Sequence, residues 1–366
     1  MRIVIDGMPT TSASSLGVVV ERVLEGWEQL GVDDEIHMVA AAGAGLRLPA
    51  FVTLHEEAVG RPAVLGRLRA QNLVVPRLCR EVHADVMLGV IPSTVVAPLP
   101  CARVVIAYDL RHELLPEQFS LGQKALRKVS YGLGWRQADG VATISGRTRD
   151  DLLRARPWMA DRPVRVALLG SDHVASWAKD ETAAPTAIAF GQHGNKNVDM
   201  VIDAWAMLRA DGAEPMPLHL MGMPDDARAA ASERIAGLGL AGLVTPQPWV
   251  SLDELRRRFA SAGLFVFPSD FEGFGLPAVE AMRLGIPLVI TPDPALLEVT
   301  EGHATVMAGW DARALADAVV RAAATTPAGL AAARARAETF TWAGTAAAMR
   351  STMAEAVDRH ASRRGA

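Results

Sequence analysis

The sequence predicts an α/β protein with two Rossmann-like parallel sheets, one in each half of the chain. Short apolar runs with the length of buried strands alternate with longer amphipathic segments that have helical spacing, and this alternation is typical of parallel sheets flanked by helices. A chain of 366 residues is too long for one ordinary hydrophobic core, and half of its residues are hydrophobic, which is enough for two.

Eleven apolar runs of three to six residues are predicted to be the strands of these sheets. They are Arg2–Asp6, Ile36–Ala40, Asp85–Val90, Arg103–Ala107, Val141–Ile144 and Val164–Leu168 in the first half, and Ala187–Phe190, Pro217–Met221, Leu243–Thr245, Leu264–Phe267 and Pro287–Ile290 in the second. The polar stretch that ends at Pro185 separates the two sets. We therefore predict a first domain over 1–170, a linker over 171–185, a second domain over 186–340 and a last helix over 341–366.

Composition excludes several classes of protein. The net charge of −4 gives no electrostatic basis for nucleic-acid binding. Two cysteines, Cys79 and Cys101, are too few for a disulfide framework and suit a reducing cytoplasm. The first residues do not have the pattern of a signal peptide, and no apolar stretch reaches the length of a membrane span. We therefore expect a cytoplasmic protein.

The segment Phe265–Thr291 carries the strongest functional signal. It is predicted to form a buried strand, a loop, a helix opening at Pro277 and a second strand, with Glu272 in the loop and Glu280 in the first helical turn. Gly275 can turn the chain with a positive φ just before the helix. A helix start is a site for anions, and the flanking carboxylates suit hydroxyl groups, so this pattern indicates a ligand such as a nucleotide-sugar.

This segment resembles the glutamate-pair motif of the family-4 retaining glycosyltransferases, P-S-x-x-E-G-F-G-L-P-x-x-E-A-M-x-x-G-x-P-V-V, at nearly every fixed position. The resemblance implies the GT-B fold, in which two Rossmann-like domains face a central cleft. The first domain would bind the acceptor and the second the nucleotide-sugar. Phe340-Thr341-Trp342 resembles the F-S-W that opens the last helix of the family, which crosses back to the first domain.

The same resemblance assigns roles to residues of the motif. Glu280 would accept hydrogen bonds from the ribose, because a carboxylate can take two vicinal hydroxyl donors. Glu272 would contact the donor sugar near its reacting face. The backbone N–H groups expected to face the sugar and the β-phosphate belong to Phe274, Gly275 and Leu276.

A second donor loop follows the predicted strand Ala187–Phe190. Residues 191–197 resemble the G-x-x-x-x-[R]-K-N loop of the family, and Lys196 is the predicted cation for the charge that develops on the leaving diphosphate. Gln192, also a predicted donor contact, and Asn195 stand where relatives carry arginines, so one expected charge is missing. An alternative is that Lys196 is an ordinary surface residue at a helix start.

Two further donor contacts rest on weaker matches. The stretch PWVSLDEL resembles G-Y-V-S-x-x-E-L, so the base would lie against the backbone of Val250 and Ser251. The loop TTSASSLG keeps Gly17 of the family's Gly-rich loop, but Val18 replaces the usual arginine. The N–H of Gly17 could approach the diphosphate, and a plain helix cap made by Ser14 or Ser15 explains this loop equally well.

On the acceptor side, RVVIAYDLRH resembles V-V-x-x-H-D-L, with Tyr108 in place of the histidine. A tyrosine there could replace the hydrogen bond of the histidine or fill space against a 6-deoxy sugar. The predicted acceptor contacts are Asp109, Arg111, His112 and Arg147, which follow predicted strands.

Taken together, these observations predict a cytoplasmic, retaining glycosyltransferase that uses a UDP-, GDP- or TDP-sugar. The predicted catalytic residues are Glu272, Lys196 and Tyr108. The sequence contains no Asp-x-Asp motif, so we expect neither a metal nor another cofactor. A non-catalytic nucleotide-sugar-binding partner and an epimerase of similar fold are the alternatives. Arg61–Arg80 carries five arginines among apolar residues, a pattern found in membrane-contacting relatives and, more often, in solvated helix faces.

Overall fold

A computed structural model describes residues 1–60, 63–93, 95–177, 184–192 and 194–365. The chain forms two compact units, the first made of Met1–Gly170 and Thr341–Ala366 and the second of Ser171–Phe340. Residues 178–183 of the predicted linker and His193 of the predicted donor loop lie outside the described residues.

The first unit contains a seven-stranded sheet whose described strand pairs are all parallel, in the order β3-β2-β1-β4-β5-β6-β7. The middle of its central strand is apolar: Ile3 pairs with Ile36 on one side and Val86 on the other, and all three are buried. The strands are β1 (Arg2–Asp6), β2 (Glu35–Ala41), β3 (Val52–Glu57), β4 (Val86–Gly89), β5 (Ala102–Ala107), β6 (Gly140–Thr143) and β7 (Val164–Val166).

β2 is joined to β3, and β4 to β5, by segments whose described residues form no helix. The other connections between strands of the first unit contain helices, the usual crossover between parallel strands. These helices are α1 (Ser15–Glu28), α2 (Ala63–Arg69), a π-helix (Ala70–Val74), α3 (Val75–Glu81), α4 (Arg111–Leu114), α5 (Leu121–Gln137) and α6 (Gly146–Ala155). Three begin at a serine cap whose hydroxyl accepts a backbone N–H of the first turn: Ser14, Ser120 and Ser145.

The second unit contains a six-stranded sheet with parallel pairing, in the order β10-β9-β8-β11-β12-β13. Its strands are β8 (Thr186–Phe190), β9 (Leu218–Met221), β10 (Val244–Pro246), β11 (Ala262–Phe267), β12 (Leu288–Ile290) and β13 (Thr305–Val306). Its helices are α7 (Val198–Ala210), α8 (Asp225–Gly237), α9 (Leu252–Ala260), α10 (Leu276–Arg283), α11 (Pro294–Thr300), α12 (Ala312–Ala323) and α13 (Pro327–Glu338). Trp205 of α7 is fully buried, and its indole N–H donates to the Met216 carbonyl at 2.9 Å.

The last helix, α14 (Trp342–Gly365), belongs to the first unit. A side chain at Gly26 of α1 would overlap the Trp342 backbone, so the glycine allows the two helices to approach closely. Arg350 of α14 donates through Nε to the buried Asp34 carboxylate at 2.7 Å, and the amino group of Met1 reaches the same carboxylate at 2.6 Å.

The predicted fold class of two parallel α/β sheets is confirmed, and all eleven predicted strands are present within two residues of their predicted ends. Two edge strands, β3 and β13, were not predicted. β3 (VTLHEE) pairs with β2 alone and is largely exposed, so it lacks an apolar run, and β13 is only two residues long.

Candidate functional site

The candidate site lies where three strands of the second unit reach their carboxyl ends. Residues 191–197 follow β8, residues 268–275 follow β11, and residues 291–293 follow β12. β11 pairs with both β8 and β12, so these three loops are neighbours at one edge of the sheet. In open α/β sheets this is the edge where ligands bind.

Lys196 and Glu272 form an ion pair at the centre of these loops. Lys196 is buried, and its Nζ contacts Oε1 of Glu272 and lies 4.3 Å from the centroid of the Phe267 ring. The same Oε1 accepts a hydrogen bond from Ser269 Oγ at 2.5 Å. Both charges are therefore held in fixed positions, which contradicts the alternative that Lys196 is an ordinary surface residue.

Two asparagines join the loop of Lys196 to the loop of Glu272. Asn195 donates through Nδ2 to Ser269 Oγ at 2.8 Å and to the Phe271 carbonyl at 3.2 Å. Asn197 has a left-handed backbone with a φ of 51°, and its Nδ2 donates to the Pro268 carbonyl at 2.9 Å. The sequence presented Asn195 only as a missing arginine, whereas the structure shows a buried amide that fixes the geometry of the ion pair.

The helix behind Glu272 begins after a left-handed glycine. Gly275 has a φ of 89° and caps α10, and a Cβ at this position would overlap the Leu296 side chain. The helix begins at Leu276, one residue before the predicted Pro277, and among the described residues no side chain caps its start. Phe274 is buried and packs edge-to-face on Phe340, with 5.8 Å between the ring centroids.

Glu280 has a partner that sequence reasoning did not identify. Its Oε1 lies 2.9 Å from Nε2 of His173, and both side chains are largely buried. Glu280 is the fifth residue of α10, one residue beyond the first helical turn in which it was predicted, because the helix begins one residue earlier than Pro277. His173 precedes Glu280 by 107 residues and belongs to no motif, so no spacing in the sequence could indicate this contact.

The predicted base-contacting residues, Val250 and Ser251, directly follow Trp249, which lies beside a turn at Gly222. Ser251 caps α9 by accepting the Glu254 N–H at 3.2 Å, so its hydroxyl has a structural role. Val250 is half-buried beside it. Gly222 has a φ of 76° and lies against Gln192 and Trp249. Gln192 Oε1 is a buried acceptor with no hydrogen-bond partner among the described residues, so it is available to a ligand N–H or O–H.

In the first unit, Gly17 takes part in a helix cap. Its N–H donates to Ser14 Oγ at 3.0 Å, the arrangement that the sequence offered as the alternative to phosphate binding. A Cβ on Gly17 would overlap the Thr11 carbonyl. The glycine is therefore required for close packing of its own loop.

The predicted acceptor residues follow β5 and β6. Tyr108 has an enclosed hydroxyl with no partner among the described residues, and burial raises its pKa above the usual range. Asp109 accepts the Arg111 N–H at 2.9 Å, and Arg111 Nε donates to Gln118 at 2.7 Å. Arg111 is the first residue of the short helix α4, which begins four residues after the end of β5.

His112 and Arg147 are also enclosed by neighbours. His112 is buried in α4 and packs edge-to-face on Tyr131, with 4.9 Å between the ring centroids. Arg147 is in α6 and pairs with Asp151 one turn later, so its charge is compensated within the helix. A free cationic role is therefore not visible for Arg147.

The described residues contain no group of three or more His, Cys, Asp and Glu side chains arranged to bind a metal ion. No helix among them combines the length and apolar character needed to cross a bilayer.

Residues 184–325 match the family model described as Glycosyl transferases group 1, which indicates a glycosyltransferase domain over the part of the chain that contains Lys196, Glu272 and Glu280. MMP alpha-(1->4)-mannosyltransferase of Mycolicibacterium hassiacum is 36% identical over 113 residues, which are 31% of this chain and 27% of that protein. O-antigen chain mannosyltransferase B of Escherichia coli is 28% identical over 173 residues, 43% of this chain and 45% of that protein. The chain thus matches less than half the length of these relatives.

Solved structures resemble the whole chain in fold. The sucrose-phosphate synthase of Thermosynechococcus elongatus superposes with a TM-score of 0.76 at 17% identity, over 96% of this chain and 98% of that one. HepE of Anabaena, in complex with UDP, superposes with a TM-score of 0.73 at 18% identity, over 97% and 100%. The fold is therefore that of the GT-B glycosyltransferases.

Proposed function

We propose that the protein is a glycosyltransferase that moves a sugar from a nucleoside-diphosphate sugar to a hydroxyl group of an acceptor, with retention at the anomeric carbon and without a metal ion. The observation that carries this proposal is the buried pair of Lys196 and Glu272 in front of the uncapped start of α10, within the matched glycosyltransferase domain.

Lys196 and the start of α10 supply positive charge for a diphosphate. A leaving nucleoside diphosphate gains negative charge in the transition state, and a fixed cation near it lowers the barrier. Lys196 can turn toward a phosphate without leaving Glu272 unpaired, since Ser269 continues to donate to the same oxygen. Sugar hydroxyls can then replace the lysine as donors to Glu272.

Glu280 is suited to the ribose of the donor. His173 occupies one side of Oε1, which orients the carboxylate and leaves acceptor positions for two vicinal hydroxyl groups. Glu272 and Glu280 would thus define the two ends of the bound donor, with the diphosphate over the helix start between them.

Retention is proposed to proceed by substitution on one face of the sugar. The bond from the anomeric carbon to the β-phosphate oxygen breaks, and the acceptor oxygen bonds to the same face of that carbon. The acceptor proton passes to the departing phosphate oxygen. Transfer with retention was also expected from the glutamate-pair motif.

Mannosyl donors are the first to test, because both relatives described above are named as mannosyltransferases. A panel of UDP-, GDP- and TDP-sugars that includes a 6-deoxy sugar, incubated with and without acceptors and with and without chelator, tests the proposal. We expect slow donor hydrolysis without acceptor, unaffected by chelator, and an axial or equatorial product linkage that matches the donor.

The same panel distinguishes a glycosyltransferase from the two alternative functions. Donor binding without transfer or hydrolysis would identify a non-catalytic binding protein. A new nucleotide-sugar formed from the donor alone would identify an epimerase. Loss of turnover in chelator, restored by a divalent ion, would contradict metal independence but would leave the proposal of a glycosyltransferase standing.

A further inference from the structure

The two tyrosines of the chain lie close together in the first unit. Tyr108 follows β5 directly, and Tyr131 of α5 packs edge-to-face on His112 of α4, with 4.9 Å between the ring centroids. Burial raises the pKa of Tyr108, and the nearby phenol of Tyr131 raises it further. Both phenols therefore lie near the carboxyl end of β5, at the edge of the sheet where ligands bind in open α/β folds.

A second pair of polar residues reaches the same edge from the helices that follow β3. Gln71 of the π-helix is fully buried, and its Nε2 donates at 2.8 Å to Asp6, the last residue of β1. Arg67 of α2 lies one turn earlier, on the same side of the helix. Gln71 Oε1 and Arg67 Nε are enclosed and have no hydrogen-bond partner among the described residues. Buried polar atoms are nearly always satisfied, so these two atoms are available to a polar ligand.

The segment after β4 brings these helices and α5 together. The Ser93 carbonyl accepts a hydrogen bond from Gln71 Nε2 at 3.3 Å. The neighbouring Pro92 carbonyl lies against Gly134 of α5, where a Cβ would overlap it. Tyr131 precedes Gly134 by three residues and is therefore on the same face of α5. The polar face of the π-helix and the phenol of Tyr131 are thus neighbours.

Two arginines act on the Tyr131 phenol from different helices. Burial raises the pKa of that phenol, whereas the charges of Arg127 and Arg67 lower it and the charge of Asp109 raises it. Arg67 belongs to α2, and Arg127 lies one turn before Tyr131 in α5. Neither arginine forms an ion pair with a described residue. Two cations and one carboxylate therefore surround this phenol.

A third cation lies beside Arg127. Arg127 and Arg111 pack over the same Phe119 ring, with their guanidinium carbons 4.8 Å and 5.9 Å from its centroid. Arg111 Nε donates to the neutral side chain of Gln118 at 2.7 Å. Three arginines against Asp109 alone leave an excess of two positive charges. We call the following residues the tyrosine cluster: Arg67, Gln71, Tyr108, Arg127 and Tyr131.

We propose that the tyrosine cluster binds a phosphate group carried by the acceptor. The inference rests on the proposed function, because it names the substrate class of that reaction. Guanidinium groups bind phosphate through charge-assisted, often bidentate hydrogen bonds, and a phenol can donate another. A phosphate monoester carries a charge of about −1.5 to −2 at pH 7, which matches the excess of positive charge better than the single charge of a carboxylate does.

Gln71 suits a different part of the same molecule. Its amide oxygen is a hydrogen-bond acceptor, so it would take a hydrogen bond from a hydroxyl group of the acceptor rather than contact the phosphate. Because Arg67 and Gln71 are one helical turn apart, we expect a hydroxyl group close to the phosphate. Sugar phosphates and the headgroups of phospholipids both have this combination.

Fluorine NMR of the full chain labelled with 3-fluorotyrosine tests this inference. Tyr108 and Tyr131 are the only tyrosines in the sequence, so each gives one signal and both signals report on the tyrosine cluster. The probes are glucose 6-phosphate, glucose and the short-chain lipid dihexanoyl phosphatidic acid. We expect a phosphorylated probe to shift the Tyr131 signal and to bind about tenfold or more tightly than glucose, because it adds hydrogen bonds between charged groups. A shift by phosphatidic acid alone would support the phosphate site and place that phosphate on a lipid.

Variants within one helix make the result specific. Arg67→Gln should bind the phosphorylated probe about tenfold or more weakly. Arg67→Lys should recover part of the affinity, since lysine restores the charge but not the bidentate geometry. Arg69→Gln, which removes an exposed arginine of the same helix, should bind as the wild type does. Equal affinity of Arg67→Gln and wild type would overturn the inference, as would tyrosine signals that neither phosphorylated probe shifts.

Donor hydrolysis without acceptor separates this inference from the proposed function. Hydrolysis of a nucleotide-sugar combined with unshifted tyrosine signals would remove the phosphate site and leave the proposed function standing. Neither hydrolysis nor transfer with any donor would instead contradict the proposed function, whatever the tyrosine signals show.

Discussion

Lys196 and Glu272 are held by more than their mutual attraction. Lys196 lies on the face of Phe267, Glu272 accepts from Ser269, and Asn195 fixes Ser269 from the other side. A buried ion pair contributes little net stability unless further hydrogen bonds satisfy both groups. These additional contacts therefore hold a cation and an anion side by side at the position where we propose that the diphosphate and the sugar of the donor bind.

Lys196→Ala should weaken binding of the cognate nucleoside diphosphate. The lost interaction is a hydrogen bond between charged groups, worth about 1.5–3 kcal/mol, so the dissociation constant should rise about 10- to 150-fold. Titration calorimetry with UDP, GDP and TDP measures it, and Arg209→Ala, which removes an exposed cation of the same unit, should leave affinity unchanged. Unaltered affinity in Lys196→Ala would remove the lysine from the phosphate site.

His173 should act on the donor only through Glu280. His173→Ala and Glu280→Gln should each weaken donor binding, and the double variant should bind about as weakly as Glu280→Gln alone. Residues in one hydrogen-bond network show coupling energies of about 0.5–3 kcal/mol. A double-mutant cycle on donor affinity measures the coupling, and strictly additive losses would show that His173 has an independent role.

At the scale of the element, the site depends on how the loop after β11 enters α10. Gly275 combines a positive φ with a position where a side chain would strike Leu296. Gly242 has a similar φ of 83°, but a Cβ there would have open space around it. Comparing the two positions therefore separates the cost of a left-handed backbone, which both share, from the cost of packing a Cβ, which arises only at position 275.

Gly275→Ala should therefore destabilise the second unit more than Gly242→Ala. The left-handed backbone costs an alanine about 1–2 kcal/mol at either position, and overpacking adds about 1–3 kcal/mol at position 275 alone. Urea unfolding of both variants, followed by circular dichroism in the far ultraviolet, measures the difference. Equal losses would mean that Leu296 moves aside without cost.

The sequence predicts elements well and contacts between distant elements poorly. Eleven strands follow from apolar runs, and β3 and β13 could not be predicted because edge strands need no such run. Lys196 and Glu272 follow from motifs, whereas the bracing by Asn195 and the partnership of His173 with Glu280 arise only when loops meet. The exposure of Leu126, Val129 and Leu133 could not be predicted from their spacing either, because an apolar stripe on a helix normally faces the core.

Across the whole molecule, the chain passes between its two units at Gly170–Ser171 and again at Phe340–Thr341. Within the second unit, the Ser171 N–H donates to the Phe340 carbonyl at 3.0 Å, so the two crossings lie side by side. Within the first unit, Thr345 of α14 donates to the Leu168 carbonyl at 2.6 Å. The final segment of the chain thus completes the unit that its first residues begin.

Asp34 links Met1 to Arg350 of α14, and its carboxyl group should make the stability of the first unit depend on pH. Burial alone would raise its pKa, but hydrogen bonds from Arg350 and the Met1 ammonium outweigh burial and hold the pKa below the ordinary value of 3.8. A carboxyl group with a lowered pKa in the folded state stabilises the fold above its unfolded pKa. That contribution is lost as the pH falls through the folded value.

Asp34→Asn should accordingly destabilise the first unit at neutral pH, since it leaves the ammonium group and Arg350 without their counter-charge. We expect a loss of about 1–3 kcal/mol, less than for a fully buried pair because Arg350 is partly exposed. Thermal unfolding of wild type and variant, compared from neutral pH to below 3.8, should show the difference shrinking as Asp34 becomes protonated. A difference that stays constant over this range would show that Asp34 stabilises the unit by packing rather than by charge.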